Sequence, residues 1–469
     1  MDAGARDQGR ALVALARLPD RKLREDAIEQ AIQEVLAPLG GLPRFISPGA
    51  KVLLKPNQTL FRAALSGSTT SPRLVRTLIR LCFRAGAKEV WVAEASGHAQ
   101  RSRQVMALTG MAQAVKETGA HLIYLDEIAE KVYDFGEDAG DLRYMPAPEI
   151  MERADVIINL PKAKTHFIDP ISGACKNWVG VIPMGYRLYL QRCGAAYYRG
   201  NALYLRRFPP ALNLMDGIVA GEGQGPGQNH PFWWGWLLAS EDPVALDVTL
   251  CRLFGLEWGR LRMAQEAAKL GAGVFDPSRI TIAGAAFQDA CVHVRPADPS
   301  VHRYPCRVIV GEYAPMEATL GHWKTIADAW LENDLWRLFT SRGTPTFLFG
   351  RAEDPEFERH VKDGPYIVLG DMAPDKYKYD PRVIYVPGWP VPQSYIQHEM
   401  VDGMGFEHLY APGLRLFEEG ASLIAQLRGA SGPEVQRRAA AKVAGAAVLA
   451  AGIPLALRAL FRSDRAGKK

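Results

Sequence analysis

The sequence predicts an α/β protein: a mostly parallel open sheet flanked by helices, followed by a second, smaller α/β unit. Two observations carry this. Short apolar runs alternate with amphipathic helical segments between residues 26 and 160, and the alternation resumes between 305 and 428. Strand–helix–strand alternation at such spacing is the pattern of parallel sheets covered on both faces.

The elements follow in order. A helical stretch over 26–39 carries Ile28, Ile32, Val35 and Leu36 on one face and ends at Gly40-Gly41. Lys51-Val-Leu-Leu-Lys-Pro-Asn57 reads as a short buried strand stopped by Pro56. A helix over 72–85 follows, with Pro72 at a tolerated first-turn position. Strand 89–94, a helix over 103–117 and strand 121–125 continue the series, and Asp155-Val-Ile-Ile-Asn-Leu160 is a later buried strand. The region 185–300 is less periodic and is expected to complete a first domain of residues 1–304. Three apolar runs, 345–350, 365–370 and 382–387, with helical stretches at 325–339 and 393–403, predict a second unit over 305–428. Residues 429–469 form a basic, alanine-rich tail. No internal repeat is visible.

With 469 residues, 48% hydrophobic and 23% charged, the composition is that of a soluble globular protein of two or three domains. The net charge of +5 is concentrated at one end. Nine of the 56 Lys/Arg and two of the 51 Asp/Glu lie from Arg428 onward, which leaves the body with 47 against 49, a net −2. Bulk charge therefore argues against a nucleic-acid partner. Charged residues throughout the first thirty positions leave no apolar secretory core, so a cytoplasmic location is expected. In the tail, fifteen uncharged residues separate Lys442 from Arg458. A bilayer span takes about 20 apolar residues. The expectation is a segment resting on an anionic membrane surface, making the protein peripheral at the inner face, or else an alanine-rich helix docked on the protein.

In an open parallel sheet, ligands sit outside the carboxyl ends of the strands. Lys55 and Asn57 end the first strand, Glu94, Ser96, Gly97 and His98 the next, and Asn159-Leu-Pro-Lys-Ala-Lys-Thr-His166 follows a third. With Gly173-Ala-Cys-Lys-Asn177, this last segment gathers Lys162, Lys164 and Lys176, which suits a carboxylate or phosphate ligand; a solvated surface loop is the bland alternative. Asp216-Gly-Ile-Val-Ala-Gly-Glu-Gly-Gln-Gly-Pro226 reads as a glycine-rich loop flanked by the carboxylates Asp216 and Glu222. Its spacing fits no dinucleotide fingerprint and it lacks a P-loop lysine; close backbone approach or a tight turn fits better. His98, His166 and His230, with those carboxylates, could supply ligands to a divalent metal, although no pair has a recognised metal spacing and His398-Glu399 lacks a second histidine. The tryptophan-rich stretch 231–236 could wall a pocket or form a core edge.

The six cysteines, at 82, 175, 193, 251, 291 and 306, form no Cys-x-x-Cys pair, and none follows residue 306. A disulfide framework is not expected.

Taken together, Gly49-Ala-Lys-Val-Leu-Leu-Lys-Pro-Asn57, Ser71-Pro72, the segments 154–166, 173–180 and 215–226, and Leu238-Ala-Ser-Glu-Asp-Pro-Val-Ala-Leu-Asp247 resemble, in order, the family catalogued as domain of unknown function 362. Many of its members carry a ferredoxin-type region and are labelled iron–sulfur proteins. This chain departs from that pattern, so the resemblance does not imply a cysteine-ligated cluster. It implies a site at Lys55, Asn57, Lys162, Lys164, His166, Lys176, Asn177, Asp216 and Glu222.

The leading expectation is an enzyme acting on a small anionic substrate, with or without a divalent metal. His166, Lys164, Asp216 and Glu222 are the catalytic candidates, and Lys55, Asn57, Lys162, Lys176 and Asn177 the substrate-binding ones. His98 and His166 are the candidate metal ligands. Two other classes remain open: a non-catalytic ligand-binding or membrane-tethered accessory protein, and an iron–sulfur or flavin-type redox protein.

Overall fold

The computed structural model describes residues 9–391, apart from 20, 99, 192–194, 315–318, 333 and 389–390. The helix expected over 393–403, His398-Glu399 and the tail with its membrane-surface segment lie outside the described residues.

Fifteen strands are described: β1 Ala11–Arg17, β2 Lys51–Pro56, β3 Glu89–Glu94, β4 His121–Tyr124, β5 Glu130–Asp134, β6 Tyr144–Pro148, β7 Val156–Leu160, β8 Lys162–Lys164, β9 Leu212–Gln224, β10 Gln228–Ser240, β11 Ile280–Gly284, β12 Arg307–Val310, β13 Thr346–Phe349, β14 Tyr366–Leu369 and β15 Val383–Val386. Nine form one sheet in the order β11-β1-β10-β9-β7-β2-β3-β4, with β8 added against β9. Only β10 runs against the rest. β12 to β15 form a second, parallel sheet, and β5 and β6 a short antiparallel ribbon. The fold is α/β with a mostly parallel main sheet, as the alternation of elements predicts.

The apolar runs of β2, β3 and β7 are explained by their two covered faces. Leu53, Trp91 and Ile157 stand side by side in register and point into one core. Val52, Leu54, Val90, Val92, Val156 and Ile158 point into the other, against Ile28, Ile32 and Val35 of the helix Glu25–Leu36 and Leu74 and Leu78 of the helix Pro72–Arg84. With both faces buried, period-2 alternation of polarity disappears and β-branched and leucine residues run together.

Several elements differ from the sequence reading. β1 is a seven-residue buried strand between β10 and β11 where no element was expected, its run too short to show a period. The helix expected over 103–117 is two, Ser102–Leu108 and Met111–Lys116, broken at Gly110 with φ 81°. The largest difference is at 212–240. The stretch read as a glycine-rich loop is mostly strand, and with β10 it makes a hairpin of two thirteen-residue strands.

Candidate functional site

Because β7, β2 and β3 are parallel neighbours, their carboxyl ends lie together. There the side chains turn polar in register: Lys55 stands beside Asn159, and Asn159 beside Asn213 of β9. The asparagines form a ladder. Asn57 Nδ2 donates to Asn177 Oδ1 at 3.0 Å, Asn177 Nδ2 to Asn159 Oδ1 at 2.8 Å, and Asn159 Nδ2 to Asn213 Oδ1 at 2.9 Å. Every member is buried. Amides can satisfy one another in this way without charge, which makes the ladder a rigid floor for the strand ends.

Three lysines reach this floor with no exposed surface. Lys55 Nζ lies 2.6 Å from Glu94 Oε1, and Glu94 also accepts from the backbone N–H of Gln58 and Ala95 at 2.8 and 3.0 Å. Burial lowers the lysine pKa and raises that of the carboxyl, while the ion pair opposes both shifts. A Cβ at Gly180 would stand 2.3 Å from Glu94 Oε1, so only glycine lets the backbone pass over this pair. Lys162 Nζ lies 2.9 Å from Asp216 Oδ2, and Asp216 accepts from Ser71 N and Ile218 N at 2.7 and 3.0 Å. Lys164 Nζ donates to Asn57 Oδ1 at 3.1 Å and to the Ser68 carbonyl, both neutral. Burial, with Lys162 and Lys176 nearby, lowers its pKa to about 7.

The end of β9 explains how the lysine segment comes to lie here: β8 pairs in parallel with β9, and the chain that carries Lys164 and His166 follows the strand's edge to Gly225, just past its end. Thr165 N donates to Gly221 O, Thr165 Oγ1 to Gly223 O, and Phe167 N to Gly225 O. A Cβ at Gly225 would stand 1.9 Å from Thr165 O. Gly225 is thus a point of close backbone approach that a side chain would block.

Above the floor is a cavity of about 110 Å³ lined by Asn57, Glu94, His98, His166, Lys176, Asn177 and Arg187, among others. Lys176 and Asn177 sit on the short helix Ala174–Asn177, whose first N–H groups are held by Asp247; Cys175 N lies 2.9 Å from Asp247 Oδ2. Lys176 Nζ reaches Tyr197 OH at 3.3 Å. Arg187 comes from the helix Met184–Gln191, its Nη1 on Ser96 O at 2.9 Å. The helix Thr319–Glu332, which precedes β13, closes the cavity with Gly321, His322 and Thr325.

The histidines are held neutral. Burial drives His98 and His166 well below the usual range, with Arg187 adding most for His98 and Lys176 for His166. Burial lowers His322 to about 4. His166 Nδ1 accepts from Ile168 N at 3.1 Å, which leaves the ring proton on Nε2. His98 Nε2 faces the Gln191 amide nitrogen at 3.1 Å, and its Nδ1 is buried with no hydrogen-bond partner in the described structure.

Of the residues singled out from the sequence, Asn57, Lys176, Asn177, His98 and His166 line the cavity, and Lys55 and Lys164 lie directly beneath it. Lys162 and Asp216 are fully buried in their own pair and do not line it. Glu222 is turned away, with Arg295 Nε 2.8 Å from its Oε1. His230 lies 3.3 Å from Glu332, on partly exposed side chains. Trp234 and Trp236 are core residues outside the cavity lining. Among the described residues, no group of three or more His, Cys, Asp or Glu side chains is placed to hold a metal ion. Arg187 and His322 were missed: one lies in an aperiodic region, the other far along the chain, and neither has a local motif.

A thylakoid-associated protein of Synechocystis sp. is 28% identical over 250 residues, which cover 51% of this chain and 74% of that protein. Among solved structures, a Thermotoga maritima protein aligns with a TM-score of 0.33 and 11% identity, covering 78% of this chain and 97% of that one. The lactate racemase apoprotein of Thermoanaerobacterium thermosaccharolyticum aligns with a TM-score of 0.34 and 11% identity, covering 85% and 93%. Through residues 52–252 the chain matches the family described as Domain of unknown function (DUF362).

Proposed function

We propose that the protein is an enzyme acting on a small anionic substrate, a carboxylate or a phosphate, bound in the cavity above the strand ends. The observation that carries this reading is the lining itself. Lys176 and Arg187 bring two cations to a largely buried cavity whose histidines are neutral and whose carboxylate, Glu94, is tied to Lys55. In such surroundings a fixed cation stabilises developing negative charge far better than in water. Lys176 and Arg187 hold the anion, Asn57 and Asn177 orient it, and His166 presents Nε2–H as a proton donor. Glu94, desolvated and raised in pKa, is the group placed to accept a proton. Lys162, Asp216 and Glu222 have no contact role in this scheme.

The test is a panel of small carboxylates and phosphate esters at low millimolar concentration, read first by thermal unfolding and then by NMR for turnover. At least one member is expected to raise Tm and be converted, and Lys176→Met abolishes both effects. A panel without stabilisation or turnover refutes the proposal.

A second reading concerns location. The thylakoid association of the Synechocystis relative, with the basic flanks of the 443–457 segment, supports contact with an anionic membrane surface. No helix among the described residues is long and apolar enough to cross a membrane. Flotation of the full chain with anionic vesicles, lost in a chain ending at Gly429, is the expected result.

A further inference from the structure

A second hollow adjoins the first. The inner cavity measures about 110 Å³, whereas an outer cleft of about 660 Å³, six times larger, lies on the other side of His166 and Phe167, which line both. Their rings stack 5.1 Å apart at 25°, so the two residues form one partition. The helix Thr319–Glu332 spans both hollows. Leu320 and Lys324, one turn apart, line the outer cleft, while Gly321, His322 and Thr325 line the inner cavity.

The outer cleft has the size and make-up of an organic-ligand site. Its walls include Ile168, Leu256, Ala297, Val301 and Leu320. Among its charged groups, Lys324 is matched by Asp328 at 3.6 Å, and Asp169 is occupied by the N–H groups of Arg262 and Met263 at 2.8 and 3.1 Å. That leaves Arg260 and Arg262 against Glu257. Arg262 lies over the Tyr198 ring at 5.6 Å, a cationic and aromatic corner at the edge of an apolar wall.

We propose that the outer cleft binds the body of the substrate, and that this substrate is an amphipathic organic anion whose charged head enters the inner cavity past His166 and Phe167. The proposal rests on the reading of the inner cavity as an anion site. It goes further by assigning the remote part of the molecule to residues of the 255–262 and 296–301 segments and of the helix Thr319–Glu332, all outside the stretch shared with the family. An inner cavity of that volume accommodates only a few heavy atoms. The binding energy that positions the head would then come from the cleft.

The experiment compares two probes with one head group, methyl sulfate and hexyl sulfate, titrated into the full chain by calorimetry. Gly259 lines the cleft, and a Cβ there meets nothing within 4 Å, so Gly259→Trp fills the cleft without backbone strain; Ala297→Trp is a second, independent filler. Hexyl sulfate is expected to bind about 100-fold tighter than methyl sulfate, because its added methylenes leave water. Both tryptophan variants should remove most of that gain and leave methyl sulfate binding unchanged, whereas Lys176→Met should weaken both probes alike. Methyl sulfate binding with no gain from the chain, or a gain that survives both variants, overturns the inference and leaves the anion site standing. If neither probe binds, the anion-site reading fails and the inference with it.

Discussion

Asp216 and Lys162 sit side by side in a region rich in functional candidates, yet their geometry argues for structure, and the two halves of the pair should differ in cost. Asp216 Oδ2 receives Lys162 Nζ at 2.9 Å and Ser71 N at 2.7 Å, while Oδ1 receives Ile218 N at 3.0 Å. Lys162 has Asp216 as its hydrogen-bond partner, and neither residue has exposed surface. Asp216→Ala therefore strands a buried ammonium, a loss of about 3–5 kcal/mol, and orphans two backbone N–H groups at about 1–3 kcal/mol each. Lys162→Met leaves a carboxylate that still accepts two N–H bonds, so its cost should fall near the lower end of the ion-pair range, about 3 kcal/mol. Urea unfolding at pH 8, followed by tryptophan fluorescence, measures both. The asymmetry should be about 2 kcal/mol or more, with the aspartate variant worse and ligand affinity in the folded lysine variant unchanged. Equal losses, or a lysine variant that folds fully but loses anion binding, would falsify the structural assignment.

Gly225→Ala should destabilise the chain by about 1–3 kcal/mol or more and shift the 164–167 segment, because the new methyl meets Thr165 O at 1.9 Å; thermal unfolding and loss of anion binding together report it. Asp247→Ala removes the acceptor for Ala174 N and Cys175 N, so Lys176 and Asn177 should lose their placement and anion affinity should fall, with stability down by about 2–4 kcal/mol. The pH dependence has a definite sign. Lys164, lowered to about 7, is protonated below that value and neutral above it. Affinity for sulfate, which does not itself titrate there, should be level at pH 6 and fall between pH 7 and 9, by at most about tenfold per unit for one coupled proton. His98 and His166 are already neutral throughout that window. Lys164→Met should abolish the slope, and an unchanged slope refutes the assignment.

The parallel core was legible because burial on both faces writes itself as short unbroken apolar runs, and β2, β3 and β7 fall where those runs occur. The polar residues following them were legible for the same reason: Lys55, Glu94 and Asn159 are the points where each run stops. Less legible was anything set by distant contact. Asp216 and Glu222 look alike in the sequence, six residues apart on one strand. One is buried against Lys162, and the other reaches out to Arg295. The evenly spaced glycines of β9 resembled a loop because glycine is depleted in strands. Gly225, just past the strand, clears the backbone of Thr165, a contact with a segment some sixty residues earlier. His322 enters the cavity from a different helix–strand unit altogether, which no local spacing could reveal.

The charge balance of the floor bears on what the site lacks. Lys55 is matched by Glu94 and Lys162 by Asp216, each pair closed by further N–H donors on the carboxylate. Among the described residues, Lys164, equally buried, has only the neutral oxygens of Asn57 and Ser68 as hydrogen-bond partners. A fully buried lysine without a carboxylate is expensive, and its cost is relieved either by losing the proton or by gaining an anion. The depressed pKa reflects the first route. The second route is open because Asn57, which accepts from Lys164, also lines the cavity and stands between the ammonium and whatever enters it. An anion arriving beside Lys176 and Arg187 would draw a proton onto Lys164, so ligand and proton should be taken up together. On this view the two matched pairs hold the sheet edge together. The unmatched lysine tunes the site, and that division follows from counting which buried cations already have a carboxylate.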